Sequence, residues 1–208
     1  NGTLADWNRL HPRITSAIRE VDQNTPIIIG GLGYSSVQWL PYITVNDDPY
    51  TVYAFHQYLP HVYTHQSPNT SNKTYPGSFD TDWDGKPDAF NKGWINNLLT
   101  TADDFSSANN DAPLVTNEFG VVRWAPGADQ FMDDQIELLE GRGINHAFWC
   151  WNPSWKPYAE EVDYFDILHG PNPNNHANVG SSKLINVIKK YWSRNSKRPS
   201  NTEFENCN

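Results

Sequence analysis

The chain has 208 residues, 38% of them hydrophobic and 19% charged, which suits a folded domain with one sizeable core and argues against disorder. A net charge of -9 and a pI near 5.1 argue against a nucleic-acid or anionic-membrane partner. The basic residues cluster only at Lys189, Lys190, Arg194, Lys197 and Arg198, where cations complement a helix C-terminus, and no run of 18 apolar residues could cross a membrane.

Thr3-Leu4-Ala5-Asp6 has the form of a capping box, and Leu4, Trp7, Leu10, Ile14, Ile18 and Val21 follow at steps of three and four. This predicts an amphipathic helix, kinked at Pro12. In "TPIIIGG" the run Ile27, Ile28, Ile29 reads as a strand buried on both faces. "SSVQWLPYI" predicts a short helix and "TVYAFHQY" a second strand, while residues 60–90 read as a long insertion. A second long helix is expected over 89–105 around Trp94, Leu98, Leu99 and Phe105. The strand "PLVTNEF" comes next, then a helix over 126–140 with Gly141 and Gly143 beyond it. A fourth strand, "NHAFWCW", precedes a long loop and a last helix over 182–192. Residues 1–193 are expected to form the folded unit and 194–208 a C-terminal tail.

Strands alternating with helices imply an α/β fold with a parallel sheet. Tyr34, His56, Tyr58, Glu118 and Trp149 stand at the C-terminal ends of strands, the face on which (β/α)8 barrels build their sites. No glycine-rich phosphate motif follows any strand, which disfavours a dinucleotide site. A whole barrel needs eight strands in about 250 residues. Four strands are legible, so the chain is read as about the last four β/α units of a TIM-type barrel.

Strict alternation puts Ala54, His56 and Tyr58 on one face of a strand, and Leu114, Thr116 and Glu118 on one face of the next. Paired strands would then bring His56, Tyr58 and Glu118 within reach of one another. A tyrosine hydroxyl donating to a carboxylate favours its ionised form, which suits a nucleophile more than a general acid. Nine Trp, ten Tyr and nine Phe, many beside Pro, Gly or polar residues, offer flat faces for sugar rings. Tyr34, Trp124 and Trp155 follow strands and are candidates for such subsites.

"AFHQY", "VTNEFG" and "GINHAFWCWNPSW", in this order and each at a strand end, resemble the second half of glycoside hydrolase family 5, the retaining cellulases and mannanases. "WNRL" and "AIREVDQNTPIIIGG" resemble the helix and strand that follow strand four of that family, so the resemblance runs from residue 4 to about residue 192. It implies Glu118 as nucleophile, His56 and Tyr58 as the His-x-Tyr pair of strand six, and Trp149 beneath the sugar at the cleavage point, with Trp151 as the alternative. It also implies an acid/base Glu in an Asn-Glu-Pro motif ending strand four. The 208 residues contain no Asn-Glu-Pro, nor the family's strand-two Arg and strand-three His. That glutamate is therefore expected upstream, in an N-terminal half of the barrel with which this chain would assemble. Asp6, Glu160 and Asp163 are carboxylates that nothing in the sequence sets opposite Glu118.

"DTDWDGKPD" supplies Asp80, Asp82, Asp84 and Asp88 at positions 1, 3, 5 and 9 of a calcium-type loop, with Gly85 at position 6 and the Lys86 carbonyl at position 7. Position 12 is Asn91. A structural Ca2+ is expected there, beside the cleft, and no cofactor for catalysis. His61, His65, His169 and His176 lack metal-ligand spacing and read as solvated loop residues. Cys150 and Cys207 could pair, or Cys150 could be a buried small apolar residue. Sequons at Asn1, Asn69 and Asn72 fit a secreted protein. The expected activity is endo-acting hydrolysis of β-1,4-glucan, with a β-mannanase or a non-catalytic, calcium-stabilised carbohydrate-binding fragment as alternatives. The expected ligand is a β-linked polysaccharide or oligosaccharide.

Overall fold

In the computed structural model, which describes residues 3–69, 72–151 and 163–195, helix α1 (Leu4–Arg19) opens on a capping box in which Thr3 and Asp6 satisfy each other's backbone amides. The helix runs through Pro12 as a single element. Its buried residues are His11 and Thr15, while Leu10 and Ile14 are 45% and 43% exposed. The apolar stripe legible in the sequence thus faces away from this chain's core. Trp7 ties the helix to the sheet by donating from Nε1 to the Gly30 carbonyl at 2.9 Å.

Strand β1 (Ile27–Gly30) is followed by a 3-10 turn over Val37–Tyr42 and by β2 (Thr51–Gln57). Helix α2 (His61–Thr64) leads to a hairpin of β3 (Gly77–Phe79) and β4 (Asp88–Phe90). Ala89 and Phe90 therefore belong to a strand, not to the helix expected from 89. Asn91 accepts the Trp94 amide and caps α3 (Lys92–Ala108), which starts only at Lys92. Strand β5 (Leu114–Phe119) precedes α4 (Ala128–Gly141), whose start is delayed past Pro126 by Gly127 at φ 80°. A side chain at Gly127 would collide with the Tyr75 carbonyl, so this turn requires glycine. The fourth strand of the sheet, β6, is cut to Asn145–His146, although the amides of Ala147 and Trp149 go on bonding to β5 carbonyls. Ser182 caps α5 (Lys183–Trp192) by accepting the Ile185 amide.

The sheet has the order β1-β2-β5-β6, with every neighbouring pair parallel. Its two faces differ. Tyr53, Phe55 and Thr116 share the face under α3 and α4 and are buried with Ile95, Leu99, Phe131 and Ile136. On the other face, the register aligns Ile28 with Val52 and Ala54 with Val115, and Val115 with Asn145. Ile28 is 55% exposed there and Asn145 is also exposed. The expectation that β1 is buried on both faces holds only for the Ile29 side, because none of the described residues covers Ile28 on the other face. The insertion docks through Tyr63 and Tyr75, which pack edge-on against Phe131 of α4, and Phe90, which packs edge-on against both tyrosines, while Tyr75 donates to Asp134 at 2.7 Å.

Candidate active site

Alternation alone would send Glu118 to the same side as Thr116, into the layer beneath the helices. The register changes there: Phe55 faces Thr116, but His56 faces Glu118, so Asn117 is an extra residue in β5. This bulge turns Glu118 to the face that carries His56. Thr116 and Glu118 consequently do not share a face, which corrects the sequence reading. The three residues still meet, and they meet because of the irregularity.

Tyr58 lies just beyond β2, its ring wedged between His65 and Phe165 at centroid distances of 5.3 and 5.8 Å. Its carbonyl accepts the Thr64 hydroxyl at 2.5 Å, so both ends of the residue are held. From this mount Tyr58 Oη donates to Glu118 Oε1 at 2.9 Å. His56 Nδ1 stands 3.8 Å from Glu118 Oε2, close enough for charge interaction but too long for a hydrogen bond. His56 is itself fixed by its amide, which donates to the Ser35 carbonyl at 2.7 Å, so the loop after β1 is stitched to the end of β2.

These groups border a cavity of about 400 Å3 whose wall includes Gly33, Tyr34, Ser36, His61 and His65. Tyr34 is 95% exposed at its rim, with a left-handed backbone at φ 56°. Glu118 is the one carboxylate among the described residues that line it. Ser36, His61 and His65 were not singled out for this site. The i, i+4 spacing of the two histidines, His61 opening α2 and His65 just past its end, is the available signal, and their Nδ1 atoms stand 3.4 Å apart.

Trp149 is half-buried, and its amide donates to the Phe119 carbonyl at 2.7 Å, next to Glu118 in the chain. Gly120 lies so close to the Trp149 carbonyl that any side chain would strike it. This contact gives the glycine of "NEFG" a physical cause. Trp124 lies elsewhere: it donates to the Gln66 carbonyl, stacks edge-on with Tyr164 and borders a separate cavity with Arg123 and the start of α4. Trp151 packs on Trp192 at 4.9 Å, beside His146 and α5, and does not border the Glu118 cavity. Trp149 does not line that cavity either, so the choice between the two tryptophans rests on the motif. Trp155, Glu160 and Cys207 lie outside the described residues, and Cys150 is buried.

Of the other carboxylates, Asp6 is used in the α1 cap and Asp163 in a cluster with Arg123, His169 and His176. In the acidic loop, carboxylate oxygens of Asp80, Asp82 and Asp88 come within 4.8 Å of one another. Asp84 instead accepts the Lys86 amide and faces its ammonium at 3.6 Å, and Asn91 is committed to the α3 cap. Hydrogen bonds from the amides of Trp83 and Gly85 to Asp80 shape the turn.

The sequence model of cellulase, glycosyl hydrolase family 5, matches residues 1–154. The chain belongs to glycoside hydrolase family 5. Endoglucanase C of Acetivibrio thermocellus is 30% identical, with 75% of this chain and 54% of that protein covered, and Endoglucanase C307 of Clostridium sp. (strain F1) matches to the same extent. The chain spans about half the length of the curated relatives it matches. Among solved structures, endoglucanase Cel5A of Thermotoga maritima superposes with a TM-score of 0.67 at 18% identity, over 89% of this chain and 55% of that one. The clostridial cellulose synthase subunit Z of Clostridioides difficile does so with 0.68 at 18%, over 89% and 56%. The parallel four-stranded sheet is therefore part of a (β/α)8 barrel, and the face that carries Ile28 and Ala54, opposite α3 and α4, is the side that looks into the barrel. In this family 5 chain the Glu-Phe-Gly and His-x-Tyr motifs meet at the C-terminal rim of the sheet.

Proposed function

We propose that this chain supplies the nucleophile half of a retaining endo-β-glycanase acting on β-1,4-glucan. The observation that carries the reading is the hydrogen bond from Tyr58 to Glu118 at the mouth of an open, aromatic-rimmed cavity. With Oε1 held by Tyr58, Oε2 is left to attack the anomeric carbon and form a glycosyl-enzyme. As that bond forms the glycosidic bond breaks, its leaving oxygen protonated by a second carboxyl about 5 to 5.5 Å away, which afterwards takes a proton from the water that releases the sugar. That acid/base is assigned to the other four β/α units of the barrel, since none of the described residues around the cavity provides it. Trp149 is assigned to the floor under the reacting sugar. Tyr34, at the rim of the cavity, is assigned to an outer subsite.

The partner in this reading is the N-terminal half of the barrel, covering the concave face of the sheet and the Leu10–Ile14 stripe. Mixing this chain with such a half should give a 1:1 complex by light scattering, and Leu10→Asp/Ile14→Asp should weaken it at least tenfold. A chain that stays monomeric in the presence of that half would count against the assembly. Secretion is part of the proposal and is supported by the sequons.

Cel5A of T. maritima has been crystallised with cellobiose and with mannotriose, so substrate choice in the present protein is to be tested on both glycans. Hydrolysis of dinitrophenyl β-cellobioside, whose leaving group departs without protonation, isolates the nucleophile step. Release of dinitrophenolate that depends on Glu118 is the result expected. Sugar binding with no such release would favour a carbohydrate-binding role instead. Tyr58→Phe should lower kcat about 10- to 100-fold with little change in substrate affinity, because a hydrogen bond to a charged group contributes about 1.5 to 3 kcal/mol. An unchanged kcat would remove Tyr58 from the mechanism.

Calcium is proposed at Asp80, Asp82 and Asp88, an all-oxygen donor set suited to a hard cation, with the Lys86 carbonyl as a fourth ligand. The ion would brace the insertion and would take no part in bond cleavage. Chelation by EGTA should lower Tm by several degrees, restored by added Ca2+, while Asp82→Asn should abolish the response. A Tm indifferent to chelator would remove calcium from the account.

A further inference from the structure

Arg123 has a fully buried side chain, and it organises a region that the glycosidase reading leaves unused. Its guanidinium donates to the carbonyls of Gly170, Asn172 and Asn175 and to Asp163, folding the 170–176 loop back onto the segment that begins at Asp163. This folding brings together three side chains that the sequence keeps apart. Asp163 Oδ1 stands 2.6 Å from His169 Nδ1 and 3.0 Å from His176 Nδ1, and one ligand atom from each residue lies within 4.8 Å of the others.

We propose that Asp163, His169 and His176 form a site for a divalent transition-metal ion of the zinc class, pinning the 170–176 loop apart from the Glu118 cavity. The donor set is two imidazole nitrogens and one carboxylate oxygen, which zinc and its neighbours prefer over calcium or magnesium. Metal–ligand bonds of about 2.0 to 2.2 Å in a tetrahedron separate the ligand atoms by about 3.4 Å, so the two shorter distances need to open by less than 1 Å.

The surroundings match those of a ligating histidine. His169 presents its second nitrogen, Nε2, to Asp166 Oδ2 at 3.5 Å, and the Asp166 side chain is only 4% exposed. At that distance the contact is electrostatic, and a small closure on metal binding would let the carboxylate accept the Nε2 proton, which orients a ligating ring and raises its basicity toward the metal. Arg123 holds the other oxygen of Asp163, at 3.2 Å, which leaves Oδ1 directed at the two rings. The positive charge of Arg123 is spread over backbone carbonyls, and Asp166, behind the His169 ring, adds a second negative charge to the cluster. The His176 side chain is 67% exposed, which leaves the fourth coordination position open to water.

The test is titration of the untagged 208-residue chain with Co2+, followed by displacement with Zn2+. One equivalent of Co2+ should give visible d–d absorption of a four- or five-coordinate site, removed by one equivalent of Zn2+. Zn2+ should also raise Tm by a few degrees. His176→Ala, at an exposed position, should fold with the Tm of the metal-free parent and bind more than 100-fold more weakly. Asp166→Asn should weaken binding about 10- to 100-fold. Replacement of His61 and His65, the other adjacent histidine pair, should leave the spectrum intact. No absorption on adding Co2+, binding unchanged in His176→Ala, or binding lost with the His61/His65 pair would each overturn the site. None of these readouts depends on glycoside cleavage, so failure of the metal site and failure of the glycanase reading are distinguishable.

Discussion

Glu118→Gln should reduce glycoside cleavage by the assembled barrel by about three orders of magnitude or more, the scale of loss when a covalent nucleophile is removed. The substitution is nearly isosteric. The amide oxygen can still accept the Tyr58 hydroxyl that now meets Oε1, and the side chain is 37% exposed, so packing changes little. What disappears is the carboxylate proposed to attack the anomeric carbon and then carry the sugar. The measurement is the initial rate on an activated aryl β-cellobioside beside a melting curve. A rate near that of the parent would remove Glu118 from the reaction, and Asp163 and Asp166, engaged with Arg123 and His169, would not be ready substitutes.

The largest stability loss is expected at Arg123, with Arg123→Met lowering stability by about 3 to 5 kcal/mol. Removing one partner of a buried charge pair leaves the other uncompensated, and here the carbonyls of Gly170, Asn172 and Asn175 lose their donors as well. For a chain of this length, each kcal/mol shifts Tm by about 2 to 4 °C, so a fall of about 10 °C is expected. Arg123→Lys should recover only part of it, because an ammonium cannot reproduce the planar fork that reaches several carbonyls at once. A Tm within about 2 °C of the parent would mean that the loop is held by other contacts. The same substitution should abolish Co2+ binding if the 170–176 loop carries a ligand.

Both residues show where sequence reasoning reaches and where it stops. Glu118 was legible because it sits in a short motif at the end of a strand, beside "HQY" and "FWCW" motifs in the expected order. Arg123 was not, since a lone arginine five residues later carries no periodicity, and its partners lie 40 to 52 positions away. His169 and His176 were set aside for lack of metal-ligand spacing. Spacing describes ligands presented by one element, whereas these are brought together by a loop closure that Arg123 holds in place.

The sequence by itself determined the order of the four sheet strands and the long helices, the Thr3 cap of α1 and the group His56, Tyr58 and Glu118, though not the β3–β4 hairpin. Those features follow from local causes: backbone hydrogen bonding at helix ends, the 3.6 and 2.0 periods, and motifs within a few residues. Only the tertiary structure decided which way Glu118 points, because one extra residue, Asn117, reverses the alternation and no local preference announces a bulge. It alone showed that Leu10, Ile14 and Ile28 face outward, since a hydrophobic stripe records that a surface is to be covered but not what covers it. It alone showed that the Trp149 amide is tied to the Phe119 carbonyl beside Glu118 while the Trp151 ring packs on Trp192, contacts between residues too far apart in the chain for local preference to set.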